Sequence, residues 1–354
     1  MRCPAILLSI LVLGAVGAES SVAATRNVPA DFPTIQQALD ASGVGDVVLV
    51  APGSYVGAIT LSSRHEGVRL ASSAGPDVTI IDGGRSGSTI RCGGVGPATV
   101  IEGFTITGGG EVPHTVTIGG GIRIDGASPT IRGNTIRGNT SVAAGGIYVD
   151  GGAPVIVANL IADNEAPGGS GGGIYCDHDA RPRIQDNVIV GNSCAAYGGG
   201  VTVWEGSAPE ISGNTIASNR GSLGGGGIYV TRDSHPVVTR TIVAFNTVGS
   251  GVVQQDPLSS VALGCSDVFG NLPADFVGLA DPAGSNGDQS TDPLFCDLAG
   301  SDLHLSVFSP CAAANSPSGC QRVGALDPAC TPTPTVRGTW GGLKAKYAAP
   351  AQGK

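Results

Sequence analysis

The triplet Gly-Gly-Ile or Gly-Gly-Val recurs through the middle of the chain, with its aliphatic residue at Ile122, Ile147, Ile174, Val201 and Ile228, in steps of 25 to 27 residues. A fixed step of this size marks a chain that stacks equal units, because no single unit can bury its apolar face alone. Other columns keep the step. Proline falls at Pro129, Pro154, Pro182, Pro209 and Pro236, and an aliphatic residue follows two positions later. One polar file reads Asn134, Asn159, Asn187, Asn214, Thr241 and Ser266; a second reads Asn139, Asn164, Asn192, Asn219, Asn246 and Asn271.

Each unit holds three short β patterns: Ile-Tyr-Val after the glycines, Pro-x-Ile, then an x-Ile or x-Val pair between the polar files. Helical periodicity is absent. The 354 residues include 58 Gly, about twice the usual share, and the straight-chain helix formers are scarce. No Gly-X-Y period points to collagen, and 41% hydrophobic content excludes a disordered chain. Three strands per unit predict an all-β parallel solenoid of roughly ten coils, about 27 residues each, stacked at ~4.8 Å into a rod ~50 Å long. A leucine-rich horseshoe shares the period and an Asn column, but Leu is scarce over residues 120–250. The asparagines are expected to take the left-handed conformation at sharp turns and to bond along the stack. The glycine pairs are expected to let coils meet closely at a corner. Both columns therefore build turns rather than a site.

Outside the clear repeats, strands are expected at Val47 to Val50, Gly67 to Ala71, Val78 to Ile81, Thr89 to Cys92 and Thr99 to Ile106, with last-coil strands at Pro293 to Phe295 and Asp302 to Leu305. Pro33 to Ala41 carries Ile35 and Leu39 at helical spacing, which predicts a short N-terminal helix capping the open end of the stack. At the start, Arg2 precedes an apolar run from Ala5 to Val16 with small residues after it. That run is too short for a membrane span and predicts a signal peptide over 1–24 and an exported protein, secreted or on the cell surface. The remaining divisions are a parallel β-helix over 25–310, a Cys-rich closing segment over 311–330, and a Thr/Pro spacer with a basic tail over 331–354. A net charge of −9 makes nucleic acid and anionic membrane poor partners.

The opening Asp-Phe-Pro-Thr-Ile-Gln-Gln-Ala-Leu-Asp-Ala (31–41) and Gly-Asp-Val-Val-Leu-Val-Ala-Pro-Gly-Ser-Tyr (45–55), with the repeats that follow, resemble the right-handed parallel β-helix proteins of the pectin lyase-like superfamily. Secreted bacterial repeat proteins without assigned activity are the nearest in pattern. The Gly-Gly-Ile and Ile-x-x-Asn tetrapeptides are also similar to those of chlamydial polymorphic outer membrane proteins. These motifs sit in turns and core, so they imply a fold far more than an activity. Among the enzymes, pectin methylesterases carry an acid that Gly53-Ser-Tyr55-Val-Gly57 lacks. Gln255-Asp256-Pro257-Leu258 and Asp267-Val268-Phe269-Gly270 echo two further esterase motifs, yet only eleven residues separate Asp256 from Asp267. That is under half a coil, so the two carboxylates are not expected on neighbouring rungs of one strand. Polygalacturonase and pectate lyase motifs are missing, and no Lys precedes Lys344.

If Ile and Val of the strand after each glycine pair point inward, the residue between them points outward. That column reads Arg91, Arg123, Tyr148, Tyr175, Thr202 and Tyr229, and two positions on come Asp125, Asp150, Asp177, Trp204 and Thr231. The next turn adds His178, Asp179, Glu205, Arg232, Asp233 and His235. Aromatic rings beside polar groups suit a sugar, which stacks its ring while its hydroxyls bond. Tyr148, Asp150, Tyr175, Trp204, Tyr229, Arg232 and Asp233 are the candidate ligand-binding strip; Asp177, His178, Asp179 and Glu205 are the catalytic candidates. Paired acids act as acid and base, or hold calcium, but no calcium motif or zinc spacing occurs, so no metal and no cofactor is assigned. The function expected is a non-catalytic surface or extracellular module contacting polysaccharide or another cell-surface polymer. The alternatives are a carbohydrate-active lyase or hydrolase using these acids, and a purely structural or adhesive envelope protein.

Cys92 and Cys176 take inward positions equivalent to Val149 and should be buried, while Cys194 is placed in a loop. Cys265, Cys296, Cys311, Cys320 and Cys330 crowd the C-terminal end, where export would permit disulfides. Bonds from Cys311, Cys320 and Cys330 to an upstream partner are expected there, with the pairing open.

Overall fold

The structure, a computed structural model, describes residues 23–110 and 118–331. The signal peptide expected over 1–24, save residues 23 and 24, most of the connection from Gly108 to Thr117 with Glu111 and His114, and the expected spacer and basic tail after 331 lie outside the described residues. Three parallel ladders run the length of the stack, one of ten strands and two of nine. Sheet one holds the strands after the glycine pairs, including Ile122–Asp125, Ile147–Asp150, Ile174–Asp177, Val201–Val203 and Ile228–Val230. Sheet two holds the Pro-x-Ile strands from Thr25–Val28 to Ala262–Gly264, and sheet three runs from Gly53–Val56 to Asp267–Phe269.

Register follows the repeat residue for residue. Ile122 pairs with Ile147, Ile147 with Ile174, Ile174 with Val201 and Val201 with Ile228. Ile131, Ile156, Ile184, Ile211 and Val238 form the matching file on sheet two, and Ile136, Ile161, Ile189, Ile216 and Val243 the one on sheet three. All of these side chains are fully buried, so the interior is three aliphatic files packed against one another. Cys92 and Cys176 occupy the sheet-one file with Ile124 and Val149, as their inward positions predict.

The two polar files stand at the corners between sheets and are buried throughout. Where asparagine follows asparagine, the amide oxygen accepts from the backbone N–H and the amide of the previous one, while the amide nitrogen donates to an aliphatic residue's carbonyl one coil back. Asn192 Oδ1 thus accepts from Asn164 N (3.1 Å) and Asn164 Nδ2 (2.9 Å), and Asn192 Nδ2 donates to Ile161 O (2.9 Å). Both files end on an acid, which can only accept. Asp275 receives Asn271, and Asp288 receives the N–H of Ser266.

The asparagines themselves are not left-handed, which corrects the expectation. The left-handed residue is the one before: Gly133, Gly138, Ala158, Asp163, Asp186, Gly191, Ser218, Arg240 and Phe245 all have positive φ. The turn bends there, and the asparagine is left free to bond along the axis. The glycine pairs do serve close approach. A Cβ on Gly173 or Gly200 would stand 2.6 or 2.7 Å from the carbonyl oxygen of the next coil's glycine.

The helix spans Ile35–Asp40, starts at Thr34, whose hydroxyl accepts the Gln37 N–H, and buries Ile35, Ala38 and Leu39 over the first coils. The segment from Thr99 to Ile106 is two strands, Val100–Glu102 and Thr105–Thr107, because Gly103 turns between them at φ +78°. Cys194 is not in a loop. With Ser193 it forms the middle rung of a short fourth ladder, between Glu165–Ala166 and Arg220–Gly221, and is buried.

The last rung of sheet one is Phe276–Val277. Phe295–Asp297 and Asp302–Ser306 pair antiparallel, so they form a hairpin rather than a last coil. The four-residue connection between them is far too short for a coil and suits a hairpin. Disulfides join Cys265 to Cys320 and Cys296 to Cys330, while Cys311 is a buried free thiol, contrary to the pairing expected for it. The segment after Cys320 then straps the outer face of sheet three. Gly324 N–H donates to Arg240 O, Ala325 N–H donates to Thr215 Oγ1, and Ile242 is buried beneath.

Candidate functional site

Sheet one sets the predicted column in register: Arg91, Arg123, Tyr148, Tyr175, Thr202 and Tyr229 pair in turn. Their exposure is not what alternation alone predicts. Tyr148 (4%), Thr202 (0%) and Tyr229 (3%) are buried, and Tyr175 remains half-buried. The cause lies in the glycine corners, which lean over the column. A Cβ on Gly171 would stand 2.7 Å from the Tyr175 Cβ, and one on Gly225 would stand 2.6 Å from the Tyr229 Cβ; both glycines have positive φ.

The rings nevertheless form one run along the axis. Tyr148 meets Tyr175 edge-on at 5.6 Å, Tyr175 meets Trp204 edge-on at 6.3 Å, and Trp204 lies near-parallel to Tyr229 at 6.4 Å. Tyr197, which the sequence reading did not single out, stacks on Tyr229 at 4.5 Å. Its one signal was an aromatic residue at a glycine corner, outside the strand columns. Tyr175, Trp204 and Tyr197 are the rings that reach solvent, supported by buried Tyr148 and Tyr229.

Beside the rings, the turns after four successive strands place charges one coil apart. Thr231, Arg232 and Asp256 complete the row, with Asp256 accepting from Thr231 Oγ1 and Arg232 N. His178, Asp179, Glu205, Arg232 and Asp233 all have positive φ, so these side chains are splayed outward by a strained turn. His178 is the hub: Nδ1 lies 2.9 Å from Asp150 Oδ1 and 3.6 Å from Asp177 Oδ2, and Nε2 lies 3.3 Å from Glu205 Oε2. Arg232 pairs with Glu205 at 2.7 Å while its guanidinium lies over the Trp204 ring at 4.7 Å. Arg123 does the same at the other end, bonded to Asp125 at 2.7 Å and above Tyr148 at 5.5 Å.

Asp177 is the buried acid of the group. Burial raises its carboxyl above the ordinary value, against a bond from the Tyr148 hydroxyl (3.0 Å) and the neighbouring His178. Burial likewise raises the Tyr148 and Tyr175 phenols and pushes Tyr229 up to about 12, so all three stay protonated donors. Asp256 is held down at about 2: burial opposes this, but the bonds from Arg232 N, Thr231 and Ser259 prevail.

Asp177, His178 and Glu205 each offer one ligand atom within 4.8 Å of the others. Tyr148 already bonds one of these acids and Arg232 the other, so the set is a self-satisfied charge network. Asp150, Tyr175, Trp204, Glu205, Arg232 and His178 are thus brought together; Asp179 and Asp233 stand exposed at the rim, the latter beside His235 at 3.2 Å. Asp256 follows sheet one and Asp267 lies in sheet three, so the two esterase-like acids are on different faces. Two concavities, of about 340 Å³ beside the helix and about 430 Å³ on sheet three, lie away from the strip.

A pectin methylesterase from carrot aligns with 13% identity and a TM-score of 0.45, covering 77% of this chain and 88% of that chain. Escherichia coli ybhc aligns with 11% identity and a TM-score of 0.37, covering 78% and 79%. No curated protein matches the sequence. The model of the right-handed β-helix region matches residues 59–216 and 120–266, and with the parallel coils in register across that span, the chain belongs to the right-handed β-helix family.

Proposed function

We propose that the sheet-one face from Tyr148 to Asp233 contacts a polysaccharide or a similar extracellular polymer without turning it over, in an exported protein whose leader is residues 1–24. The observation that carries this reading is the continuous run of rings from Tyr148 to Tyr229 and Tyr197, half-open at Tyr175, Trp204 and Tyr197, with bonding groups one coil apart beside it. Flat rings take up the apolar face of a sugar, and Asp150, Glu205 and Arg232 stand within reach of its hydroxyls. The two disulfides suit an oxidising compartment.

A second reading, a lyase or hydrolase, draws on Asp177. A carboxyl raised by burial, with an oxygen within 4.8 Å of one from Glu205, has the makings of an acid and its partner base. Incubation with a panel of polysaccharides separates the readings. Binding without product release, weakened at least about tenfold by Trp204→Ala, supports the contact module. Product release lost in the Asp177→Asn, His178→Ala double variant supports the enzyme. No binding and no release leaves the structural role.

A further inference from the structure

The fixed charge beside the rings has a sign, and it bears on what polymer the face accepts. Arg123 and Arg232 are both committed, each to one carboxylate and one ring. Among the described residues, Asp150 has only the His178 imidazole for a partner, and no cationic side chain pairs with Asp179. Asp177 is buried next to them with its carboxyl bonded to Tyr148. A polyuronate laid on this strip would set its carboxylates against these, which costs binding energy that ring stacking would have to recover.

The position of His178 indicates what the carboxylates do take. Its two ring nitrogens face Asp150 and Glu205 from opposite sides, at 2.9 and 3.3 Å, on a side chain that is 57% exposed. The chain therefore holds a nitrogen base of its own between two acids, each one coil removed from it, beside the Tyr175 and Trp204 rings. A ligand ammonium would satisfy Asp150, the one of the two that no arginine pairs, with a charge-assisted bond to its carboxylate and attraction to the ring faces.

We infer that the polymer bound at this face carries protonated amines, as a glucosamine-type glycan does, and is not a polyuronate. This rests on the glycan-contact reading above and names its ligand class. The test is calorimetric titration of the full chain with four oligomers: deacetylated glucosamine, the same oligomer N-acetylated, cello-oligosaccharide and oligogalacturonate. The deacetylated oligomer should bind about tenfold tighter than its acetylated form, and Asp150→Asn should remove most of that difference while leaving the acetylated form unchanged. Oligogalacturonate should not bind. Equal affinity for the acetylated and deacetylated forms, or binding of the uronate, overturns the amine assignment and leaves glycan contact standing. Equal binding of the deacetylated oligomer to wild type, Asp150→Asn and Trp204→Ala marks it as diffuse attraction to an acidic protein and overturns the assignment too. Silence with all four oligomers sinks the glycan reading itself.

Discussion

The corner files and the sheet-one strip are both columns one residue wide that cross the same coils, yet they are built on opposite rules. From Asn139 to Asn271 the residue never changes, each member is buried, and every amide bonds the rung on either side. From Arg123 through Tyr148, Tyr175 and Thr202 to Tyr229 the residue type changes at almost every step, burial varies, and the contacts are ring pairs and ion pairs. Where the backbone of a solenoid needs a partner at every rung, one residue type serves throughout the Asn139 file, and in the other corner file only the hydroxyls of Thr241 and Ser266 replace it. Where a file faces outward, the stack supplies spacing and leaves chemistry free, and the chemistry gathers between Asp150 and Asp233.

Breaking a file should cost far more stability than breaking the strip. Asn192→Ala leaves the Asn164 N–H without an acceptor and takes a donor from the Ile161 carbonyl, both buried, for an expected loss of about 3 to 5 kcal/mol in denaturant unfolding. Gly173→Ala presses a methyl against the Gly200 carbonyl and should cost about 2 to 3 kcal/mol, with the coils forced apart.

A third column sharpens the contrast, because on sheet three the terminal strap buries what would otherwise face water. Asp267 there is fully buried, bonded by Thr291 N and lying 3.2 Å from the Cys311 thiol, and burial raises its carboxyl to about 6 against those bonds. Its folded value lies above its unfolded one, so the folded chain holds the extra proton. Its contribution to stability is therefore full below about pH 4 and is lost as pH rises through about 6, by about 3 kcal/mol. The wild-type minus Asp267→Asn difference in unfolding free energy across that range should show this slope.

At the small end, Tyr175→Leu keeps apolar bulk and should change stability by less than about 1 kcal/mol, while glycan binding falls.

Repetition made the coils, the three sheets and the inward files legible, since Ile122, Ile147 and Ile174 meet in register as their spacing requires. The turn chemistry was misplaced by one residue because Asn is the ordinary left-handed residue, whereas here the ladder bonds hold Ala158, Asp163 and Ser218 in that conformation instead. Alternation turned Tyr148 and Tyr229 away from the aliphatic files but carried no measure of how far the glycine corners lean over them, and both are buried. The His178 network was half legible: Asp177, His178 and Glu205 were grouped by spacing, but the bond to Asp150 and the place of Arg232 over Trp204 depend on side-chain direction at left-handed turns. The hairpin at Phe295–Asp297 lies outside the period, and nothing in the repeat reports on it.

The separation of an interior that holds the fold from a strip that meets a ligand is tested most directly by the emission of Trp204. The chain has 2 Trp, so Trp340→Phe leaves that indole alone, and amine-bearing, neutral and uronate oligomers can each be titrated against it. A saturable change with the amine-bearing oligomer, lost on Tyr175→Leu in a protein of unchanged unfolding midpoint, is the expected result. An emission indifferent to every oligomer would contradict it.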